Sequence, residues 1–172
     1  CRNSIYTFLT CSMKNRFIIF VFFFGYLNLY SQKENIALKI YTFSETEKLL
    51  QQNPKPVVVF IHTDWCKICF AMKQKTFKNE EVIPILNNDF YFIMLNGEEK
   101  KNITFFNKTF VYKPTGINTG THELAKELAY VHGRISYPTT VILNSKKQID
   151  IQIDNYITSK KMKKILNKYL EL

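Results

Sequence analysis

Glycine and proline are scarce in this sequence, five of each among 172 residues. Scarcity of both excludes a collagen-like repeat, a linker-rich array and the composition of a disordered chain. No internal repeat is visible either. What fills the chain is apolar and aromatic: 46% of residues are hydrophobic, with 15 Phe and 10 Tyr. A chain of this length can bury the core of one compact domain and is too short for two ordinary ones.

Acidic residues are outnumbered, 14 against 24 basic ones, for a formal net charge of +10. The excess is dispersed. Lysines are mixed with acids, as in Glu98-Glu99-Lys100-Lys101, and the densest run, Lys160, Lys161, Lys163 and Lys164, falls near the C-terminus. Such a run on a terminal helix reads as a solvated face, so no nucleic-acid partner is expected, and the basic surface points only weakly to acidic partners.

A bilayer-spanning run is also missing. Lys14, Asn15 and Arg16 form a short basic stretch, Phe17 to Tyr30 is almost wholly apolar, and polarity returns at Ser31-Gln32-Lys33. The apolar run falls short of the roughly 20 residues that cross a membrane as a helix. Its layout is that of a signal peptide over residues 13–32, with cleavage beside Gln32. Met13 stands directly before the basic stretch, so residues 1–12 read as non-native sequence upstream of the natural start, and residues 33–172 as the mature domain. No Cys follows the apolar run where a lipid would be attached. A soluble periplasmic or secreted product is expected.

Cysteine is limited to four positions, and Cys1 and Cys11 fall before the mature domain. Cys66 and Cys69 remain. In an oxidising compartment one close pair is either a disulfide or a working dithiol.

Along the mature chain, Ala37 to Phe43 alternates as a strand does, and Ser44 to Glu47 reads as a capping box opening a helix through Gln52. Pro54 and Pro56 follow, then Val57 to His62, a continuous apolar run of the kind buried on both faces of a sheet. Thr63 to Cys69 comes next and Phe70 to Phe77 has helical composition, which puts the dithiol at a strand-to-helix junction. A helical stretch from Asn79 to about Leu86 and a buried strand from Asp89 to Leu95 complete a parallel βαβ unit.

Between Asn96 and Gly120 the pattern changes. Ile103 to Phe106 and Thr109 to Tyr112 flank Asn107-Lys108 as a small hairpin, and Lys113 to Gly120 is rich in turn formers, so this stretch is read as an insertion near the site. Thr121 then caps a helix through about Val131. Thr139 to Leu143 and Gln148 to Ile153 should pair as an antiparallel hairpin, and Thr158 or Ser159 opens a final amphipathic helix. The order implies an α/β fold, a central mixed sheet with helices on both faces.

The chemistry centres on the dithiol. A thiol attacks as its thiolate, and a helix start stabilises that anion through unpaired N–H groups and the positive end of the macrodipole. Cys66 occupies that start, and Lys67 adds a positive charge beside it. Two intervening residues let the second sulfur close a small disulfide and release a bound partner, so Cys69 is the resolving thiol and the more buried of the two. Other uses of the pair are weaker. Zinc would need more ligands, and beyond His62 the remaining histidines, His122 and His132, are distant in sequence. Covalent haem attachment would need His where Phe70 stands. A purely structural bridge would constrain the unfolded chain little. No metal or cofactor is expected, and His62 reads as a strand-end residue with a satisfied ring.

Val57 to Phe60 followed by Asp64-Trp65-Cys66-Lys67-Ile68-Cys69 resembles the strand, Trp and C-x-x-C of thioredoxin-like proteins, and Tyr137-Pro138-Thr139 resembles their cis-proline loop. The likeness spans roughly residues 37 to 172, interrupted by 96 to 120. Lys75-Thr76-Phe77 to Val82 resembles a segment of the exported thioredoxin-like group often found in Bacteroidetes-type bacteria. It implies a thioredoxin fold, Cys66 as nucleophile, Cys69 as resolver, Trp65 as a shield beside the sulfurs and Pro138 as the cis residue facing them. Tyr137 then sets part of the contact with an extended substrate strand. Two departures stand out. Typical thioredoxins carry a buried acid where this chain has Phe60, with Asp64 nearer and exposed, and they carry Gly-Pro where this chain has Lys67-Ile68. The redox direction therefore does not carry over.

The leading expectation is an exported protein-disulfide oxidoreductase, monomeric, acting on the thiols and disulfides of other exported proteins and kept reduced by a membrane electron donor. Its rivals are a non-catalytic binding module that uses the 96 to 120 segment, and a dedicated redox partner of a single client.

Overall fold

The computed structural model describes residues 36–171. The expected upstream residues and signal peptide lie outside them. Among the described residues no helix is long and apolar enough to cross a membrane.

Helix α1, Phe43–Gln52, begins two residues earlier than its sequence suggests. Thr42, not Ser44, is the N-cap: its hydroxyl accepts the Glu45 N–H at 3.2 Å while the Glu45 carboxylate accepts the Thr42 N–H at 2.8 Å. This reciprocal box satisfies two donors at the helix start and draws Phe43 out of the strand read over 37–43. No strand forms there. The segment makes a single sheet-like bond, Tyr41 N–H to the Phe92 carbonyl at 2.8 Å. The Asn87 amide takes two of its other groups, accepting from Lys39 N–H and donating to the Ala37 carbonyl.

Strand β1, Val57–His62, is buried along its whole length. It pairs in parallel with β2, Tyr91–Asn96, from Val57 opposite Tyr91 to His62 opposite Asn96. Between them run α2, Lys67–Lys75, and α3, Val82–Asp89. Helix α3 starts later than Asn79 because Asn79 first makes a turn, its side-chain oxygen accepting Glu81 N–H at 3.0 Å. Pro84 then sits within the first turn, where its missing N–H leaves no bond unmade.

The stretch after β2 folds as two hairpins. β3, Ile103–Phe105, and β4, Lys108–Phe110, form the expected hairpin but turn one residue earlier than expected, through Phe106 and Asn107, both at positive φ. The second, β5, Tyr112–Pro114, against β6, Gly120–His122, encloses the loop that its turn-rich composition foretold. Pairing carries β6 through His122, so Thr121 is a strand residue and His122 becomes the N-cap of α4, Glu123–Ala129, its Nδ1 accepting Leu124 N–H at 3.2 Å. Helix α4 stops before Val131, since β7, Tyr130–Val131, turns back on β8, Arg134–Ile135, through His132 and Gly133, both at positive φ. A two-residue turn of that hand matches the twist of its strands.

β9, Thr139–Leu143, runs antiparallel to β1, and β10, Ile149–Ile153, pairs with β9, giving the order β10-β9-β1-β2. Helix α5, Ser159–Leu170, opens on Thr158, whose hydroxyl accepts Lys161 N–H at 3.3 Å. The mixed sheet expected from the element order is thus present, with a core on each face. Val57, Val59 and Ile61 pack with α1, α4 and Phe105 and Phe110 of the hairpin; Val58 and Phe60 pack with α2, α3 and α5. Alternation along β1 sends successive side chains to opposite layers. Each fully buried Phe, Leu or Ile contributes about 1.5–3 kcal/mol through burial.

Candidate functional site

The site lies where β1 ends and α2 begins. Cys66 is the N-cap of α2 and its sulfur accepts the Cys69 N–H at 3.1 Å. An N-cap acceptor satisfies one of the donors that a helix start leaves open, and here that acceptor is the sulfur itself. Cys66 and Cys69 are joined as a disulfide with their Cα atoms 5.2 Å apart. Cys66 retains 7% exposure and Cys69 none, which is the order expected of an attacking and a resolving thiol.

Trp65 stands outside the pair, 65% exposed, with its ring edge-on to Tyr137 at 6.0 Å between centroids. Tyr137 precedes Pro138 through a cis peptide bond and is half-buried against the group that contains both sulfurs. Burial, and after it the Glu98 carboxylate, push the Tyr137 phenol up to about 12, so it is a neutral hydrogen-bonding group at ordinary pH. Pro138 is buried. Trp65, Cys66 and Cys69 are therefore brought together with Tyr137, which is distant in the chain. Lys67, next to Cys66 in sequence, is the first residue of α2 and exposed. Ile68 and Phe70 are also exposed, at 55% and 62%, and with Trp65 they give the dithiol an apolar surround.

Three further residues carry the site and were not singled out by the sequence. Glu98, in the loop after β2, accepts the Trp65 indole N–H at 3.1 Å. Asn96 donates its amide to Asp64 at 3.1 Å and caps Glu98 N–H at 3.0 Å. Together they fasten the inserted stretch to the Trp65 loop. The third is Lys73, whose ammonium lies 3.0 Å from His62 Nδ1. An ammonium only donates, so Nδ1 accepts and the imidazole proton sits on Nε2. Burial first, then the Lys73 charge, lower the His62 pKa to about 4, against weaker upward pulls from Asp64 and the Thr63 backbone. His62 is indeed a strand-end residue with its ring partnered, but its partner is a cation. Lys73 falls one turn after Cys69, a spacing that signals a shared helix face; nothing local in the sequence signals the Glu98 contact.

Among the described residues no group of three or more His, Cys, Asp or Glu side chains could hold a metal ion. No curated protein sequence matches the chain. Solved structures do. The DsbH oxidoreductase superposes with a TM-score of 0.56 at 14% identity, covering 80% of this chain and 87% of its own. A thioredoxin from Thermus thermophilus gives 0.55 at 20% identity, covering 78% and 88%. A putative disulphide-isomerase from Bacteroides thetaiotaomicron gives 0.54 at 19% identity, covering 82% and 98%. At these identities the likeness is one of fold. The sequence family described as a thioredoxin-like domain matches residues 43–170, which is most of the chain and the whole of the site. With its mixed sheet, its C-x-x-C pair at the helix start and that match, the chain belongs to the thioredoxin-like domain family.

Proposed function

We propose that this protein is an exported thiol–disulfide oxidoreductase that exchanges disulfides with other exported proteins through Cys66 and Cys69. The observation that carries the reading is the Cys66 sulfur at the N-cap of α2, accepting the Cys69 N–H at 3.1 Å. In the reducing direction a thiolate there keeps its hydrogen bond and the helix dipole while it attacks a client disulfide. The client is then held to Cys66 as a mixed disulfide, and Cys69 attacks Cys66 to release it. Trp65, Ile68 and Phe70 supply an apolar rim for the client, and the backbone at Tyr137-Pro138 a short edge against which an extended segment can lie. Lys67 adds a nearby positive charge that favours the Cys66 thiolate. Export rests on the basic-then-apolar pattern of residues 14–30. A membrane electron donor would return the pair to the dithiol.

The test is the reduction potential of the pair, read by alkylation and mass shift in glutathione buffers, together with trapping by Cys69→Ser. A potential above about −300 mV with mixed disulfides trapped on Cys66 supports exchange. A lower potential with nothing trapped identifies an inert bridge in a binding module instead. Trapping in the native host that yields one client in place of many narrows the reading to a dedicated redox partner.

A further inference from the structure

A resolving thiol that is wholly buried must still lose its proton. Cys69 has no exposure, and no carboxylate is buried among the described residues. The position where typical thioredoxins hold an acid is Phe60, itself fully buried and packed with the sulfurs. Thiolate formation inside that apolar layer is costly unless a positive charge faces it.

One cation is suitably held. Lys73 follows Cys69 by one helical turn on α2, a spacing that brings Cβ atoms to about 5–6 Å, and a helical side chain lies back over the turn before its own Cα. By that rule the Lys73 side chain lies over the turn that carries Cys69. Its far end is fixed by His62 Nδ1 at 3.0 Å, and the His62 ring is stacked on Phe60 with centroids 5.7 Å apart. His62 and Phe60 are alternate residues of β1, on the face that carries the cysteines. Lys73 is half-buried, so the charge is neither lost to bulk water nor sealed from it.

Resting on the exchange reading above, we infer that Lys73, positioned by His62, is the cation that holds Cys69 as a thiolate during the resolving step. In that step the Cys69 proton leaves to solvent and the electron pair on its sulfur forms the bond to Cys66 Sγ. The bond between Cys66 and the client sulfur breaks, and the client departs as a thiolate. The client is reduced and the pair oxidised. His62 stays neutral throughout, giving Lys73 an acceptor without a competing charge. Asp64 is the remaining ionisable group acting on both, and it favours their charged forms. Burial acts the other way on Lys73 and lowers its pKa.

The aromatic disulfide dithiobis(nitrobenzoate) separates the two steps on the full chain. Reduced protein releases one coloured thiolate when Cys66 attacks and a second when Cys69 resolves, and Cys69→Ser isolates the first. Replacing Lys73 by Met or by Gln should raise the pH midpoint of the second release by about one unit, a roughly tenfold slower step below that midpoint, with the first release unchanged. Lys73→Arg should restore the midpoint, because the charge returns. His62→Phe should move it part of the way. An unmoved second midpoint in the Met and Gln variants overturns the assignment, as does an equal shift in both releases. Should the wild-type protein give no second release at all, it is the exchange reading that fails.

Discussion

The indole of Trp65 is tied to Glu98 by a hydrogen bond of 3.1 Å that joins the dithiol loop to the inserted stretch. Because this is the single Trp of the chain, the tie can be watched directly. A hydrogen bond of this kind is worth about 1 kcal/mol net, a factor of about 5 in the population of the fastened ring. Glu98→Ala should therefore make Trp65 more accessible to acrylamide quenching, and Glu98→Gln, which keeps an acceptor oxygen, should recover most of the protection. Equal quenching in all three proteins would show that the bond does not hold the ring.

Gly97 forms the floor of the same region. Its N–H donates to the His62 carbonyl at 2.7 Å and its carbonyl accepts His122 N–H at 2.8 Å, so its backbone is pinned at the end of β1. A Cβ at this position would lie 2.2 Å from the Tyr137 hydroxyl. Since the backbone cannot retreat, the ring must. Gly97→Ala should destabilise the protein by about 1–3 kcal/mol, the usual cost of overpacking, read from urea unfolding. It should also change Trp65 emission through the displaced Tyr137; wild-type stability with altered emission would mean the ring yields freely, and wild-type values of both would mean the ring is not in the way.

Much of this was legible from the sequence, and the exceptions share a cause. Val57 to His62 and Thr139 to Leu143 announce themselves because strands buried on both faces need unbroken apolar runs, and Cys66 with Cys69 needs no tertiary information. Ala37 to Phe43 misleads. It has a strand's alternation, yet the Thr42–Glu45 box and the Asn87 amide satisfy its backbone instead. Thr121 and Val131 read as the ends of a helix because local composition favours one there, while pairing to Lys113 and Arg134 decides the matter. Glu98 reaches Trp65 and Lys73 reaches His62 across separate elements, contacts that no local pattern encodes, although the spacing of Lys73 from Cys69 is itself a local signal.

The start of α1 gives a direct check on that capping argument. Thr42→Ala removes the acceptor for Glu45 N–H and should cost about 1 kcal/mol, whereas Ser44→Ala, one residue inside the helix, should be nearly neutral. Urea midpoints for the two variants distinguish the observed box from the one expected two residues later; a reversed ranking would restore the later start.

Phe77 offers a test of the layer beneath the dithiol. It is almost fully buried, and its ring lies 4.7 Å from both Phe60 and Phe92. Phe77→Ala should lose about 3–5 kcal/mol, through lost burial and the cavity left behind. The urea midpoint should fall while the slope of the transition stays constant, since the surface exposed on unfolding hardly changes. A loss under about 1 kcal/mol would mean that the layer closes around the gap and is less tightly packed than its contacts imply.

The low pKa of His62 has a consequence for acid stability. In the folded protein the ring stays neutral down to about 4, held there mainly by burial. In the unfolded chain it protonates near the ordinary value of about 6.5. Between those limits the unfolded state binds a proton that the folded state refuses, so stability is complete above pH of about 6.5 and declines as pH falls toward 4. One proton contributes a slope of at most about 1.4 kcal/mol per pH unit. His122, also lowered by burial, adds to it with the same sign. His62→Gln keeps an acceptor for Lys73 but cannot titrate, and should flatten the decline measured by urea unfolding between pH 6.5 and pH 4 without abolishing it. If the variant and wild-type curves instead fall in parallel through this window, His62 takes up its proton without resistance and the ring is better hydrated than its surroundings indicate.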